Sequence, residues 1–198
     1  MELGTGKITG LEALLRWRTE DGVLIPPGKF IPIAEQSGDI VVLGNWVLET
    51  ACRQGMAWKN QGIGLVPMTV NISARQFLQD NLVRMVSDIL ERTGFDPHHL
   101  HLELTETALM TDNPGVLQHM QQLTSLGISF SLDDFGIGYS SLSYLSRFPI
   151  RIIKIDRSFV VGMSLDPKHA AIVGAVVAMS RDTGDGGLAA TGVQEAGQ

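Results

Sequence analysis

Two adjacent carboxylates, Asp133 and Asp134, end the stretch SFSLDD, and a glycine-rich run, FGIGYSS, follows at once. Ile128, Phe130 and Leu132 alternate with Ser129, Ser131 and Asp133, a period of two that reads as a strand with one apolar and one polar face. Asp133 is expected to end the polar face, and Asp134 to fall where the strand gives way to the loop. Gly136 and Gly138 let that loop turn tightly and approach a ligand. Carboxylates so placed repel unless a cation lies between them, and a divalent metal ion is the natural candidate.

Groups of the same kind recur along the chain. Glu12, Asn71, Glu103 and the pair Lys154 and Asp156 each stand near the C-terminal end of a segment with strand alternation. Two glutamates, an asparagine and two aspartates are hard oxygen donors, and no histidine or cysteine pair stands at ligand spacing, which favours magnesium or manganese over zinc. His98 falls on a different face from His99 and His101, so that run is not read as a ligand group. Lys154 admits three roles: the Schiff-base nucleophile of an aldolase-like barrel, a structural partner of Asp156, or a group that orients a metal-bound water. Neighbouring carboxylates keep an ammonium charged, which disfavours the nucleophile. Arg16 can pair with Glu12 or clamp a phosphate. Metal, arginine and the lack of a covalent nucleophile together point to metal-assisted hydrolysis of a phosphate ester.

Strand signals cover Lys7–Trp17, Met68–Ser73, His99–Glu106, the stretch ending at Asp133, Ile152–Asp156 and, briefly, Leu188–Ala190. Helical patterns lie between them at Phe30–Gln36, Ile40–Lys59, Leu82–Leu90, from Asn113-Pro114 towards Gly127, at Leu142–Phe148, and from Asp166-Pro167 through Met179. Such alternation predicts a parallel β/α fold. In a β/α barrel the C-terminal strand ends share one mouth, which gathers the scattered polar groups. A doubly wound sheet would carry a glycine-rich phosphate loop after an early strand, and the sequence has none.

The 198 residues, with 44% hydrophobic and 18% charged, fit one domain spanning 1–198 without a linker. No apolar run approaches the ~20 residues of a membrane span, and the N-terminus lacks a signal-peptide core, so the expected location is cytoplasmic. A net charge of -6 argues against a nucleic-acid polymer as partner. Cys52, the lone cysteine, lies in the apolar pattern around Trp46, Val47, Ala51 and Met56 and is expected to be a packed core thiol.

Five segments in series carry a resemblance: LEALLRW at Leu11–Trp17, VNISARQF at Val70–Phe77, ELTE at Glu103–Glu106, DDFGIGYSSL at Asp133–Leu142 and KIDRSFV at Lys154–Val160. In order and spacing the chain resembles the EAL domain family. The resemblance implies an α/β fold of the modified TIM-type (β/α) barrel kind that hydrolyses cyclic di-GMP to linear pGpG with Mg2+ or Mn2+. Glu12, Asn71, Glu103 and Asp133 match the family's metal ligands, and Asp134 matches the ligand of a second metal. Leu14 and Arg16 match substrate contacts, Lys154 matches the water-orienting lysine, and Asp156 belongs to the same site. Glu106 resembles the glutamate that holds the loop after Asp134, which the family uses for substrate binding and dimerisation, so a homodimer is expected.

Two departures accompany the likeness. Members carry AEGVE where this chain has Ala190-Thr191-Gly192-Val193-Gln194, so Thr191 and Gln194 replace two active-site glutamates. The first is implied to be a general base, and losing a positioned base costs ~10²- to 10⁴-fold. The family's opening strand and final strand-helix unit have no counterpart here, so a barrel incomplete at both ends is expected. The sequence therefore supports an impaired phosphodiesterase domain, with a receptor that binds cyclic di-GMP without cleaving it as the alternative.

Overall fold

Alternating apolar residues build the sheet that carries the polar groups. The computed structural model of the chain describes residues 5–109, 115–135, 147–163, 166–182 and 189–192. Its strands are β1 (Leu11–Ala13), β2 (Trp17–Arg18), β3 (Leu24–Ile25), β4 (Met68–Asn71), β5 (Leu100–Thr105), β6 (Ser129–Phe135), β7 (Ile150–Ile155) and β8 (Ala189–Gly192). Helices α1 (Pro27–Ser37) and α2 (Asp39–Asn60) precede β4, and α3 (Ala74–Phe77) and α4 (Leu82–Thr93) precede β5. Between β5 and β6 lie α5 (Glu106–Leu109) and α6 (Gly115–Ser125), and between β7 and β8 lie α7 (Arg157–Gly162) and α8 (Pro167–Asp182).

The main sheet has six parallel strands in the order β1-β4-β5-β6-β7-β8, so neighbours in space follow one another in the chain. Winding in one direction, with helices between parallel strands, is the arrangement of a TIM-type (β/α) barrel; a doubly wound sheet reverses its order at a switch point. Both faces of β5 are covered, since Leu100, Leu102 and Leu104 are buried and so is Glu103 between them. The apolar side packs Leu102, Phe130 and Ile153 into one core with Leu48 and Cys52 of α2, Val86 and Ile89 of α4, and Met120 and Leu123 of α6. Helix α4 shows how sequence sets this layer. Leu82, Val86, Ile89 and Leu90 recur on one face and are buried, each contributing roughly 1.5–3 kcal/mol. Gly94 then ends the helix in the left-handed region at φ 69°, donating its N–H to the Leu90 carbonyl at 2.8 Å.

Several boundaries differ from the sequence reading. The expected strand Lys7–Trp17 is paired only at Leu11–Ala13, because Ala13 faces Val70 and β4 ends one residue later at Asn71. Trp17 and Arg18 pair instead with Ile25 and Leu24 in an antiparallel hairpin. Strand β6 continues to Phe135, one residue beyond Asp134, where the strand was expected to give way, and its register against β7 shifts between Leu132 and Phe135, so Asp133 and Asp134 lie in an irregularity of that ladder. Glu106 opens α5 rather than ending β5, and Asp156 caps α7 rather than ending β7. The four-residue α3 was not expected. The Asn113-Pro114 helix start, most of the 142–148 helix, and Gln194 lie outside the described residues. Among the described residues, no helix is long and apolar enough to cross a membrane.

Candidate active site

Backbone register sets the site's height on the sheet. Asn71 of β4 stands opposite Glu103 of β5, which stands opposite Ser131 of β6, which stands opposite Ile152 of β7. Lys154 is two residues further along β7, and Asn71 is two residues beyond Thr69, the partner of Glu12 on β1. Period two puts residues two apart on the same face of a strand. Four strands thus bring Glu12, Asn71, Glu103 and Lys154 together, although up to 142 positions separate them in the chain.

Lys154 is the centre of the group. Its ammonium donates to Glu12 Oε2 at 3.0 Å and to Glu103 Oε2 at 2.5 Å, and Asn71 Nδ2 donates to Glu12 Oε1 at 2.8 Å. Glu103 is 1% exposed, and its Oε1 has no hydrogen-bond partner among the described residues. Burial pushes the Glu103 carboxyl up to about 7; Lys154 opposes the shift, while the negative charges of Asp133 and Glu12 add to it. Burial alone would lower the Lys154 pKa, but the hydrogen bonds and charges of Glu103 and Glu12 outweigh it and hold the ammonium above its ordinary value. A lysine so held is charged at neutral pH, which removes the Schiff-base role. Its hydrogen-bond partners are Glu12 and Glu103; Asp156, the partner in one of the three readings of Lys154, accepts the Ser158 backbone N–H at 2.8 Å and the Ser158 hydroxyl.

The remaining candidates surround this centre. Asp134 sits at φ 55°, a left-handed conformation uncommon for a residue with a side chain. Partial burial, then the charges of Asp133 and Asp156, raise its carboxyl above the ordinary value. Arg16 does not take up Glu12; its guanidinium donates to the Leu15 carbonyl at 2.9 Å and is otherwise exposed. Leu14 is exposed too, and with Glu12, Arg16, Trp46 and Trp58 it lines a cavity of about 350 Å³ between β1 and α2. Trp46, one of the apolar positions in the pattern around Cys52, is 59% exposed at that cavity. Ser131 was missed as a site residue. It is buried beside Glu103 in register, and its hydroxyl has no partner among the described residues. Its signal was the small polar residue between Phe130 and Leu132, which alternation already placed on the Asp133 face. Thr191 stands opposite Lys154 in the β7–β8 register.

Among the described residues, no group of three or more His, Cys, Asp or Glu could hold a metal ion as placed. The donor chemistry nevertheless suits a hard divalent ion. Every candidate ligand offers an oxygen, Glu103 Oε1 is buried without a partner among the described residues, and positive charge is already drawn between Glu12 and Glu103 in the form of Lys154.

Comparison with known proteins accords with this architecture. A family model, EAL domain, matches residues 1–198. The bifunctional diguanylate cyclase/cyclic di-GMP phosphodiesterase MucR of Pseudomonas aeruginosa is 46% identical over 176 residues, 89% of this chain and 26% of MucR. The cyclic di-GMP phosphodiesterase PdeR of Escherichia coli is 42% identical over 176 residues, again 89% of this chain and 26% of the relative. The chain therefore spans about a quarter of the length of these two curated relatives. A solved PaMucR phosphodiesterase in complex with c-di-GMP superposes with a TM-score of 0.87 at 43% identity, covering 96% of this chain and 76% of that one.

Proposed function

The chain belongs to the EAL domain family, and on that premise we propose that it binds cyclic di-GMP at the mouth bearing Glu12, Asn71, Glu103 and Lys154 and hydrolyses it to linear pGpG with Mg2+ or Mn2+. The observation that carries this reading is the Lys154 ammonium held between Glu12 and Glu103, an anchored cation on a wall of hard oxygen donors. MucR and PdeR, named as cyclic di-GMP phosphodiesterases, supply the substrate class. Glu12, Asn71, Glu103 and Asp133 would hold one metal ion, and Asp134 would contribute to a second. Bound metal supplies Lewis-acid charge to the phosphate and lowers the pKa of water. Lys154, a donor only, orients water or phosphate oxygen and takes no proton. Arg16 offers a planar fork of donors to a phosphate, and Leu14 offers apolar surface to the base. Asp156 holds the start of α7 behind Lys154, and Glu106 supports the loop after Asp134.

The same reading makes residues 1–198 one domain and pairs two copies through the loop after Asp134. It places the reaction in the cytoplasm, where the nucleotides from which such a substrate is built reside. A second reading, a receptor that retains the nucleotide uncleaved, draws support from Thr191, which stands opposite Lys154 where the family carries a glutamate. A single-turnover assay with protein in excess over cyclic di-GMP and Mn2+ separates the two. Linear pGpG that is absent from an Asp133→Asn control supports the hydrolase. Intact nucleotide retained by the protein supports the receptor, and intact nucleotide left free in solution sinks both.

A further inference from the structure

We propose that Arg75 is a positioning residue that braces Asn71 against the α1–α2 junction and, through α1, against the hairpin that directly follows Arg16. The functional weight of the brace rests on the roles given above to Asn71 and Arg16; its geometry does not. The last carbonyls of a helix lack partners within it, and α1 has no basic residue in its own last turn. Arg75 of α3 supplies the missing cation from outside, donating through Nη1 to the Glu35 carbonyl at 2.6 Å and to the Gln36 carbonyl at 3.2 Å. The junction is shaped to admit it. Gly38 lies at φ 93°, and a Cβ there would stand 3.0 Å from Arg75 Nη2.

The neighbouring residue fastens the same turn to α2. Gln76 is 2% exposed, its Nε2 donates to Asn45 Oδ1 at 2.9 Å, and a Cβ on Gly44 would fall 2.1 Å from its Oε1. Ser73 closes the turn by accepting the Gln76 backbone N–H at 3.1 Å, and Ile72 ties it to β5 through the Glu103 carbonyl at 2.9 Å. Asn71 immediately precedes this fastened segment and directs Nδ2 to Glu12. At the other end, Phe30 of α1 meets the Trp17 ring edge-on with centroids 5.7 Å apart, and Trp17 follows Arg16 directly. One exposed guanidinium therefore joins the turn that follows the carboxamide to the helix packed against the residue next to the phosphate clamp.

The test compares 15N-labelled wild type with Arg75→Ala, Arg75→Lys and Gly38→Ala. Two signals are followed without ligand: the Asn71 side-chain NH2 pair, assigned with Asn71→Asp, and the Trp17 indole N–H. Both signals are expected to shift in Arg75→Ala, and to return only part of the way in Arg75→Lys, since an ammonium cannot reproduce the planar fork. Both should also shift in Gly38→Ala, where the guanidinium is retained but the left-handed turn beneath it is strained and the guanidinium crowded. A lowered melting temperature with both signals unmoved in Arg75→Ala would make Arg75 a stabilising cap alone and overturn the proposal. Titrating the same wild-type sample with Mn2+ and cyclic di-GMP keeps the two readings apart. Failure of wild type to bind either ligand removes the proposed function, whereas the brace stands or falls on the two signals.

Discussion

Glu103 in the strand wall and Cys52 in the helix layer are buried to nearly the same depth, at 1% and 0% exposure. Burial raises the pKa of both, to about 7 for the carboxyl and, with Glu49 adding to it, to about 12 for the thiol. Only one of them looks like working chemistry. Cys52 is surrounded by the apolar core and moves away from any pH at which a thiolate would form. Glu103 has an ammonium on one oxygen, no hydrogen-bond partner among the described residues on the other, and two further carboxylates close enough to perturb it. Depth alone does not mark a site. A buried charge with a partner and an unmet lone pair does.

The largest effect that would test this contrast is expected from Lys154→Met. Removing one member of a buried pair strands the other charge, and about 3–5 kcal/mol of stability should be lost at pH 8, together with any cyclic di-GMP turnover. The loss should shrink on acidification. Glu103 has a folded pKa above its ordinary 4.5, so the stability linked to its protonation is fully present below about 4.5 and is lost as pH rises through about 7. Lys154, shifted upward from 10.5, stays charged across that window. Urea denaturation of wild type and variant at pH 5 and pH 8 measures the difference. An equal deficit at both values would mean that Lys154 is not the charge partner of Glu103.

A smaller effect concerns the metal. A carboxyl held near 7 must give up its proton to become a ligand, so Mn2+ affinity should rise by roughly tenfold between pH 6 and pH 8. Calorimetric titration in buffers of different ionisation enthalpy should show proton release at pH 6.5, and Glu103→Gln should abolish it. Mn2+ binding independent of pH would place the ion away from Glu103.

How far these features could be read from the sequence depended on the range over which they are determined. The leucines of β5 and the buried face of α4 were legible because a period of two or of 3.6 is a local property. The parallel winding followed from their alternation. The bounds of β1 were not legible, since they depend on where β4 stops, more than fifty residues later. Nor was α3, a four-residue turn held by Ser73 and Gln76 rather than by periodicity. That Glu12, Asn71 and Glu103 share one wall could be read from residue type and strand position. The partners of Lys154 could not, because they arrive on β1 and β5, while the near carboxylate in sequence, Asp156, accepts from Ser158.

The smallest effect belongs to Cys52, and it tests the contrast from the apolar side. With a thiol held at about 12, the thiolate fraction at pH 8 is on the order of one in ten thousand, and the sulfur is also sterically covered. Native protein should therefore react with a disulfide reagent only as fast as α2 opens, and Cys52→Ala should cost no more than about 1 kcal/mol, the loss of one small buried group. Glu103→Gln should leave the labelling rate unchanged if strand wall and helix layer are independent in this respect. Faster labelling in that variant would show that the charge centre on β5 also holds α2 against the sheet.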